Sequence, residues 1–210
     1  GFISPTHALT FGICVCLVGI STVTLLTNIE AGMITGFSAF FYVFIYTMFL
    51  KRRTPHNIVI GGLAGATPPA IGWIAAGGNI EDPLPWLMVL TIFMWTPPHF
   101  WALAVHRKDE YAKVGIPMLP VTHGERYTKI NIFLYTLLLL VVTTLPYLTG
   151  MFGVLYLVGE LLLGLIFLYW AVVMLRSRDK DAGIKTFRYS ITYLTLLFIV
   201  MLADHYLFQI

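Results

Sequence analysis

Apolar positions in this chain do not alternate with polar ones; they run together. Charge-free stretches cover 31–50, 54–80, 83–106, 131–159, 161–175 and 189–203. Several exceed the roughly 18–20 apolar residues a helix needs to cross a bilayer. With the turn and cap signals between them, they predict seven spans at about 7–27, 30–50, 57–76, 84–106, 129–149, 152–175 and 190–209. Ser4 followed by Pro5 opens the first as cap then proline, and Asn28 is placed to cap the second. Gly77-Gly78-Asn79 closes the third, and Thr149-Gly150 marks a tight turn after the fifth. The pattern predicts an all-α fold, a polytopic membrane helix bundle whose seven helices form one domain over 1–210.

Composition sharpens this. Only 11% of the chain is charged and 58% is hydrophobic, against about 25% charged in soluble domains. A soluble fold is excluded, and so is an extramembrane domain of any size. All thirteen basic residues fall on one side of the predicted topology. They lie in the 51–56 loop (Lys51, Arg52, Arg53), in the 107–128 loop and its edge (Arg107, Lys108, Lys113, Arg126, Lys129), and in the 176–189 loop (Arg176, Arg178, Lys180, Lys185, Arg188). The other side carries Glu30, Glu81 and Asp82. By the positive-inside rule the N-terminus and the basic loops are cytoplasmic and the C-terminus external. The basic face reads as topogenic and headgroup-binding, or as the holder of an anionic substrate; the third loop alternates sign and reads as a solvated surface. The partner is a lipid bilayer, and nucleic acid is not expected. The first apolar run has no basic n-region or cleavage site, so it is not a signal peptide. The chain opens on Gly rather than Met, which predicts a missing N-terminal segment. Cys14 and Cys16 lie about 200° apart on a helix, cannot pair, and read as small core residues.

Candidate chemistry gathers at the basic side. Lys51-Arg52-Arg53 and Asn57 precede the third helix, whose N-terminal amides suit a phosphate. Arg107-Lys108-Asp109-Glu110-Tyr111 follows the fourth, and its adjacent carboxylates either coordinate Mg²⁺ or form an exposed, salt-bridged helix end. The loop Gly115-Ile116-Pro117-Met118-Leu119-Pro120-Val121-Thr122-His123-Gly124 is too apolar for plain solvent and reads as a lid dipping toward the membrane. Trp95, His99 and His106 share one helix face, as a lined pocket would require. Thr67-Pro68-Pro69 and Thr96-Pro97-Pro98 lie roughly 14–17 Å below the cytoplasmic helix ends, at ~1.5 Å per residue. Paired breaks there would open a cavity. Asp204 and His205 are expected to reach water near the external end, while Glu160 is unexplained.

These motifs carry a resemblance. Leu50-Lys51-Arg52-Arg53-Thr54-Pro55-His56-Asn57, Gly61-Gly62-Leu63-Ala64-Gly65-Ala66, Trp95-Thr96-Pro97-Pro98-His99-Phe100 and Asp109-Glu110-Tyr111 running into Gly115-Ile116-Pro117-Met118-Leu119-Pro120 resemble the haem O synthases (protohaem IX farnesyltransferases). That family belongs to the UbiA-type intramembrane prenyltransferases, and the resemblance runs from Ile3 to about Gly124. It implies nine helices in a full-length member, with two of them and a first acidic motif upstream of Gly1. It implies farnesyl transfer from farnesyl diphosphate to a vinyl group of haem B, with water completing the addition to give haem O, in a bacterial inner membrane. It further implies Asp109 and Glu110 as Mg²⁺ ligands, with Lys51 and Tyr111 beside them in catalysis. Lys51, Arg52, Arg53, Asn57 and Lys108 would hold diphosphate, and His99, His106, Trp95, Trp101 and Tyr46 would line the haem and prenyl cavity. Haem A synthase is an implied partner. This sequence has Lys at 113, where superfamily relatives often carry a second aspartate, and Glu110 where Asp is common. Prenyl transfer to an aromatic quinone precursor, or a haem or lipid transporter that only binds, are the alternatives.

Overall fold

A computed structural model describes residues 3–177, 179 and 181–208 of the chain. Among the described residues, seven helices are long and apolar enough to cross a membrane. In chain order the elements are α1 (Pro5–Leu26), α2 (Ile29–Leu50), α3 (Asn57–Ala75), α4 (Pro83–His106), the short α5 (Lys108–Lys113) and α6 (Leu119–Thr122), α7 (Gly124–Leu148), α8 (Val154–Arg176) and α9 (Asp181–Phe208). The caps fall where the sequence places them. Ser4 Oγ accepts from His7 N at 3.3 Å and Asn28 Oδ1 accepts from Ala31 N at 2.9 Å. Gly77 and Gly150 close their helices with positive φ.

Two helix starts precede the apolar runs. The last helix begins at Asp181 rather than 190, and α7 at Gly124 rather than 129. Hydropathy marks where a helix enters lipid, not where it begins. Lys and Arg are good helix formers, and Ala182, Gly183, Thr186 and Ser190 are already buried along one side of α9. The 176–189 segment is therefore largely helical. Arg178, Lys180 and Gln209, the expected end of the last span, lie outside the described residues. Cys14 is exposed and Cys16 half-buried on α1, which has no buried residue, so neither is a core residue.

The two Thr-Pro-Pro steps behave differently. At Thr67 the helix breaks and restarts from Pro68, with Thr67 Oγ1 bonded to Ala64 O at 2.9 Å. At Thr96 no break occurs; α4 runs unbroken through Pro97 and Pro98. Proline withdraws two backbone donors there, but Thr96, Pro97, Pro98 and His99 are all buried, and neighbouring helices hold the turn in shape.

Helix α4 is the bundle's axis, packed by α3, α7 and α9. Lipid offers no hydrophobic drive for helix association, so small residues and close contact must supply it. A Cβ on Gly183 of α9 would sit 2.8 Å from the Ala102 carbonyl of α4. The apolar 115–124 loop does dip inward: Met118 and Leu119 are buried against Trp101, Ile132, Ala171 and Met174. It is a docked plug. Lys129 Nζ donates to Ser177 O at 3.0 Å, and Lys108 pairs with Glu125 at 3.5 Å, binding the second and third basic segments at one end of the bundle.

Asp204 does not reach water. It is fully buried, and its carboxylate accepts from Gly153 N at 2.6 Å and Tyr156 N at 3.0 Å. A side chain of α9 thus caps the start of α8, where orphan amides and the helix dipole favour a negative charge. Hydrogen bonds to a charged group are worth about 1.5–3 kcal/mol each. Asp204→Ala is therefore expected to cost about 2–4 kcal/mol and to lower the melting temperature in detergent. An unchanged melting curve would exclude the cap.

Candidate functional site

Between α2, α3 and α4 lies a cavity of about 300 Å³ lined by Tyr42, Tyr46, Ile58, Gly61, Gly62, Gly65, Ile92, Trp95, Thr96 and Phe100. Its geometry begins with a change in α2. From Phe41 to Leu50 that helix is π-wound, and Thr47 Oγ1 and Lys51 N bond back five residues, to Tyr42 O and Tyr46 O, each at 2.8 Å. Such widened turns recur at functional sites. The rings of Tyr42 and Tyr46 sit 5.4 Å apart on the resulting face. Opposite them Gly61 presents no side chain, and a Cβ there would collide with the Tyr46 ring. The result is an aromatic-walled, mainly apolar space.

At the basic end of α2 and α3, Lys51 is half-buried while Arg52 and Arg53 are exposed, with the Arg53 guanidinium 4.2 Å over the Phe49 ring. Asn57 is buried at the start of α3; its Nδ2 donates to Lys51 O at 3.1 Å and its Oδ1 has no partner. Across from them stands α5. Tyr111 packs against the buried cluster that includes the lining residue Ile58, and lies within electrostatic reach of Tyr46. Asp109 and Glu110 are exposed on α5, and Glu110 approaches Arg107 at 3.9 Å. Both ends of that pair are more than half exposed, so its strength is about 0–1 kcal/mol. Lys108 is engaged by Glu125. Among the described residues no three His, Cys, Asp or Glu side chains are grouped to hold a metal ion.

The α4 stripe divides. Trp95 lines the cavity. His99 is 7% exposed and lies in the bundle, stacked on Trp95 at 4.1 Å and on Phe187 at 4.5 Å. Its Nδ1 is 2.6 Å from Ser190 Oγ, whose own proton goes to Phe187 O at 2.6 Å, so Nδ1–H is the donor. Ser190 O also accepts from Trp95 Nε1 at 2.8 Å. His106 is half-buried beside Gly183. Trp101 is 1% exposed and packs edge-on to Tyr135 at 5.3 Å, among the residues that hold the plug and away from this cavity. Ser190 escapes sequence reasoning: it lies 91 residues from His99, and no spacing rule links them.

The sequence pattern that defines the UbiA prenyltransferase family matches residues 1–202. The "Protoheme IX farnesyltransferase" of Hahella chejuensis is 56% identical over 207 residues, covering 99% of this chain and 69% of that protein. The "Protoheme IX farnesyltransferase 1" of Pseudomonas fluorescens is 58% identical over 208 residues, covering 99% and 69%. A solved structure concerned with digeranylgeranylglyceryl phosphate synthase superimposes with a TM-score of 0.79 over 97% of this chain and 71% of that one. At 17% identity it speaks for the fold alone.

Proposed function

The chain belongs to the UbiA prenyltransferase family, and on that footing we propose that it transfers farnesyl from farnesyl diphosphate to a vinyl group of haem B, giving haem O and diphosphate. It is a multi-pass membrane prenyltransferase. The observation that carries the reading is the aromatic cavity of α2, α3 and α4 opening beside a basic rim, in a chain 56% identical to a protoheme IX farnesyltransferase. We place it in a bacterial inner membrane, on the strength of its bacterial relatives, with the basic segments cytoplasmic, which the charge distribution supports.

The residues divide the work by chemistry. Lys51, Arg52, Arg53, Asn57 and Lys108 are assigned to the diphosphate, where charge accumulates as the allylic bond breaks. Tyr42, Tyr46, Trp95 and Phe100 offer π faces to a carbocation and keep water from it. His99, stacked on the cavity residue Trp95, and His106, toward the basic end of α4, are assigned to the haem side of the site. Tyr111, between α5 and the cavity wall, is assigned to orienting the leaving group. Mg²⁺ takes one or two carboxylates and fills its octahedron with phosphate oxygens and water. Asp109 and Glu110 are hard oxygen donors of that number, and they would hold it. When bound, it supplies charge neutralisation at the leaving diphosphate.

The test is diphosphate release by membranes containing the protein, given farnesyl diphosphate with either haem B or 4-hydroxybenzoate. Release with haem O formation on haem B alone is expected. Release on 4-hydroxybenzoate would make the protein a quinone-precursor prenyltransferase, and no release with either acceptor would make it a binder or transporter. Lys51→Ala and Arg52→Ala are each expected to weaken farnesyl diphosphate binding ten- to a hundred-fold, from about 1.5–3 kcal/mol per charge-assisted contact. Haem binding should hold; if it falls instead, the loop grips the propionates.

A further inference from the structure

The half of the bundle away from the basic end contains a polar cluster that the proposed reaction does not use. Glu160, on α8, is fully buried, and its Oε1 lies 2.6 Å from Thr143 Oγ1 on α7. Thr143 Oγ1 is also 2.9 Å from Leu139 O and 3.2 Å from Leu140 O. Tyr156 Oη, one helical turn before Glu160, donates to Thr143 O at 2.6 Å. Two atoms of this cluster are buried without partners: Glu160 Oε2, and Oη of Tyr193 on α9. Asp204 lies on the far side of Tyr156 and is satisfied by the amides of Gly153 and Tyr156.

Proton counting constrains the arrangement. Thr143 has one hydroxyl proton and three acceptor oxygens within 3.2 Å. If that proton closes the usual helical bond to Leu139 O, the 2.6 Å contact needs a proton from Glu160. Charge counting agrees. Among the described residues, Thr143 of α7, Tyr156 of its own helix and Tyr193 of α9 interact with Glu160, and none of them is a cation. The α4 residues packed on this core, Leu84, Met88, Met94 and Trp95, are uncharged. A buried carboxylate without a cation is strongly disfavoured, and the group takes a proton instead.

We propose that Glu160, Thr143 and Tyr193 form an intramembrane site for one water molecule, with Glu160 a neutral acid. In this arrangement Glu160 Oε1–H donates to Thr143 Oγ1, and Thr143 donates to Leu139 O. Tyr193 Oη–H donates to the water, which donates to Glu160 Oε2. The side-chain donors of the cluster are then spent and both orphaned oxygens are satisfied, with the water held by two partners, the fewest a buried water takes.

Infrared difference spectroscopy of the protein in lipid, wild type against Glu160→Gln, tests the protonation directly. A carboxylic-acid carbonyl band present at neutral pH in the wild type and absent in Glu160→Gln is expected. Tyr193→Phe, which removes only the hydroxyl that anchors the water, should shift that band. Thermal stability and diphosphate release of Glu160→Gln should stay within twofold of wild type, because the amide is a neutral isostere. Absence of the acid band would overturn the neutral carboxyl. A band indifferent to Tyr193→Phe would overturn the bridging water.

Discussion

Asp109→Asn or Glu110→Gln, at least one of the two, is expected to lower diphosphate release by two orders of magnitude or more, with part of the loss recovered at raised Mg²⁺. Each amide keeps the shape of its side chain and removes the charge that a hard cation requires. The competing role is structural, because Glu110 sits 3.9 Å from Arg107 on an exposed helix turn. A pair of that kind is worth about 0–1 kcal/mol. A hundred-fold loss corresponds to about 2.7 kcal/mol, beyond what that contact supplies. Both carboxylates sit on α5, whose Tyr111 lies within electrostatic reach of the cavity residue Tyr46, at the end of the bundle where the diphosphate is assigned. The measurement is diphosphate release against Mg²⁺ concentration for the wild type and both amides, with a chelator arm that should silence the wild type. Three superimposable curves would leave α5 with no metal role.

The fold was legible because a bilayer leaves few options. Any backbone inside it must satisfy its own hydrogen bonds, so long apolar runs become helices and their number can be counted. What hydropathy does not encode is what happens past the lipid, which is why α9 starts at Asp181. The two Thr-Pro-Pro steps are identical in sequence and opposite in outcome, since only the burial around Pro97 and Pro98 keeps α4 continuous. Within the site, Tyr46 and Trp95 lie in helices already rich in aromatics, among them Tyr42, Phe44, Phe93 and Phe100, so residue type alone did not single them out. The placement of Trp101 follows from helix geometry. At ~100° per residue it stands about 240° round the helix from Trp95, which turns it toward the plug rather than the cavity. Asp204 was misplaced for a different reason. Its partners, Gly153 N and Tyr156 N, are 51 and 48 residues away, and closeness to a chain end suggests water when the nearest unmet need is another helix's amides. Ser190 belongs with it: its value lies wholly in Trp95 and His99, which no local pattern connects to it.

Three glycines line the cavity, and they are not equivalent, which gives the second large expected effect. Gly61→Val should abolish most activity, by at least about a hundred-fold, while Gly65→Ala should stay near wild type. A Cβ at Gly61 meets the Tyr46 ring, whereas one at Gly65 meets nothing within 4 Å. The branched side chain at 61 would have to displace Tyr46, and that ring has little room to yield. It is half-buried, lies against Tyr42 at 5.4 Å, and rides on the π-wound turn whose Tyr46 carbonyl accepts from Lys51 N. Moving it closes the cavity and disturbs the backbone of Lys51, the residue assigned to the diphosphate. Overpacking of this sort costs about 1–3 kcal/mol of stability, which a bundle in lipid tolerates, so the protein should still insert and be recovered in normal yield. Gly61→Ala should fall between the two. The kinetic form of the loss separates explanations: a blocked cavity raises KM for the prenyl donor and lowers kcat together, whereas simple destabilisation lowers the yield of active protein and leaves KM alone. Wild-type turnover in Gly61→Val would place the prenyl chain outside this cavity.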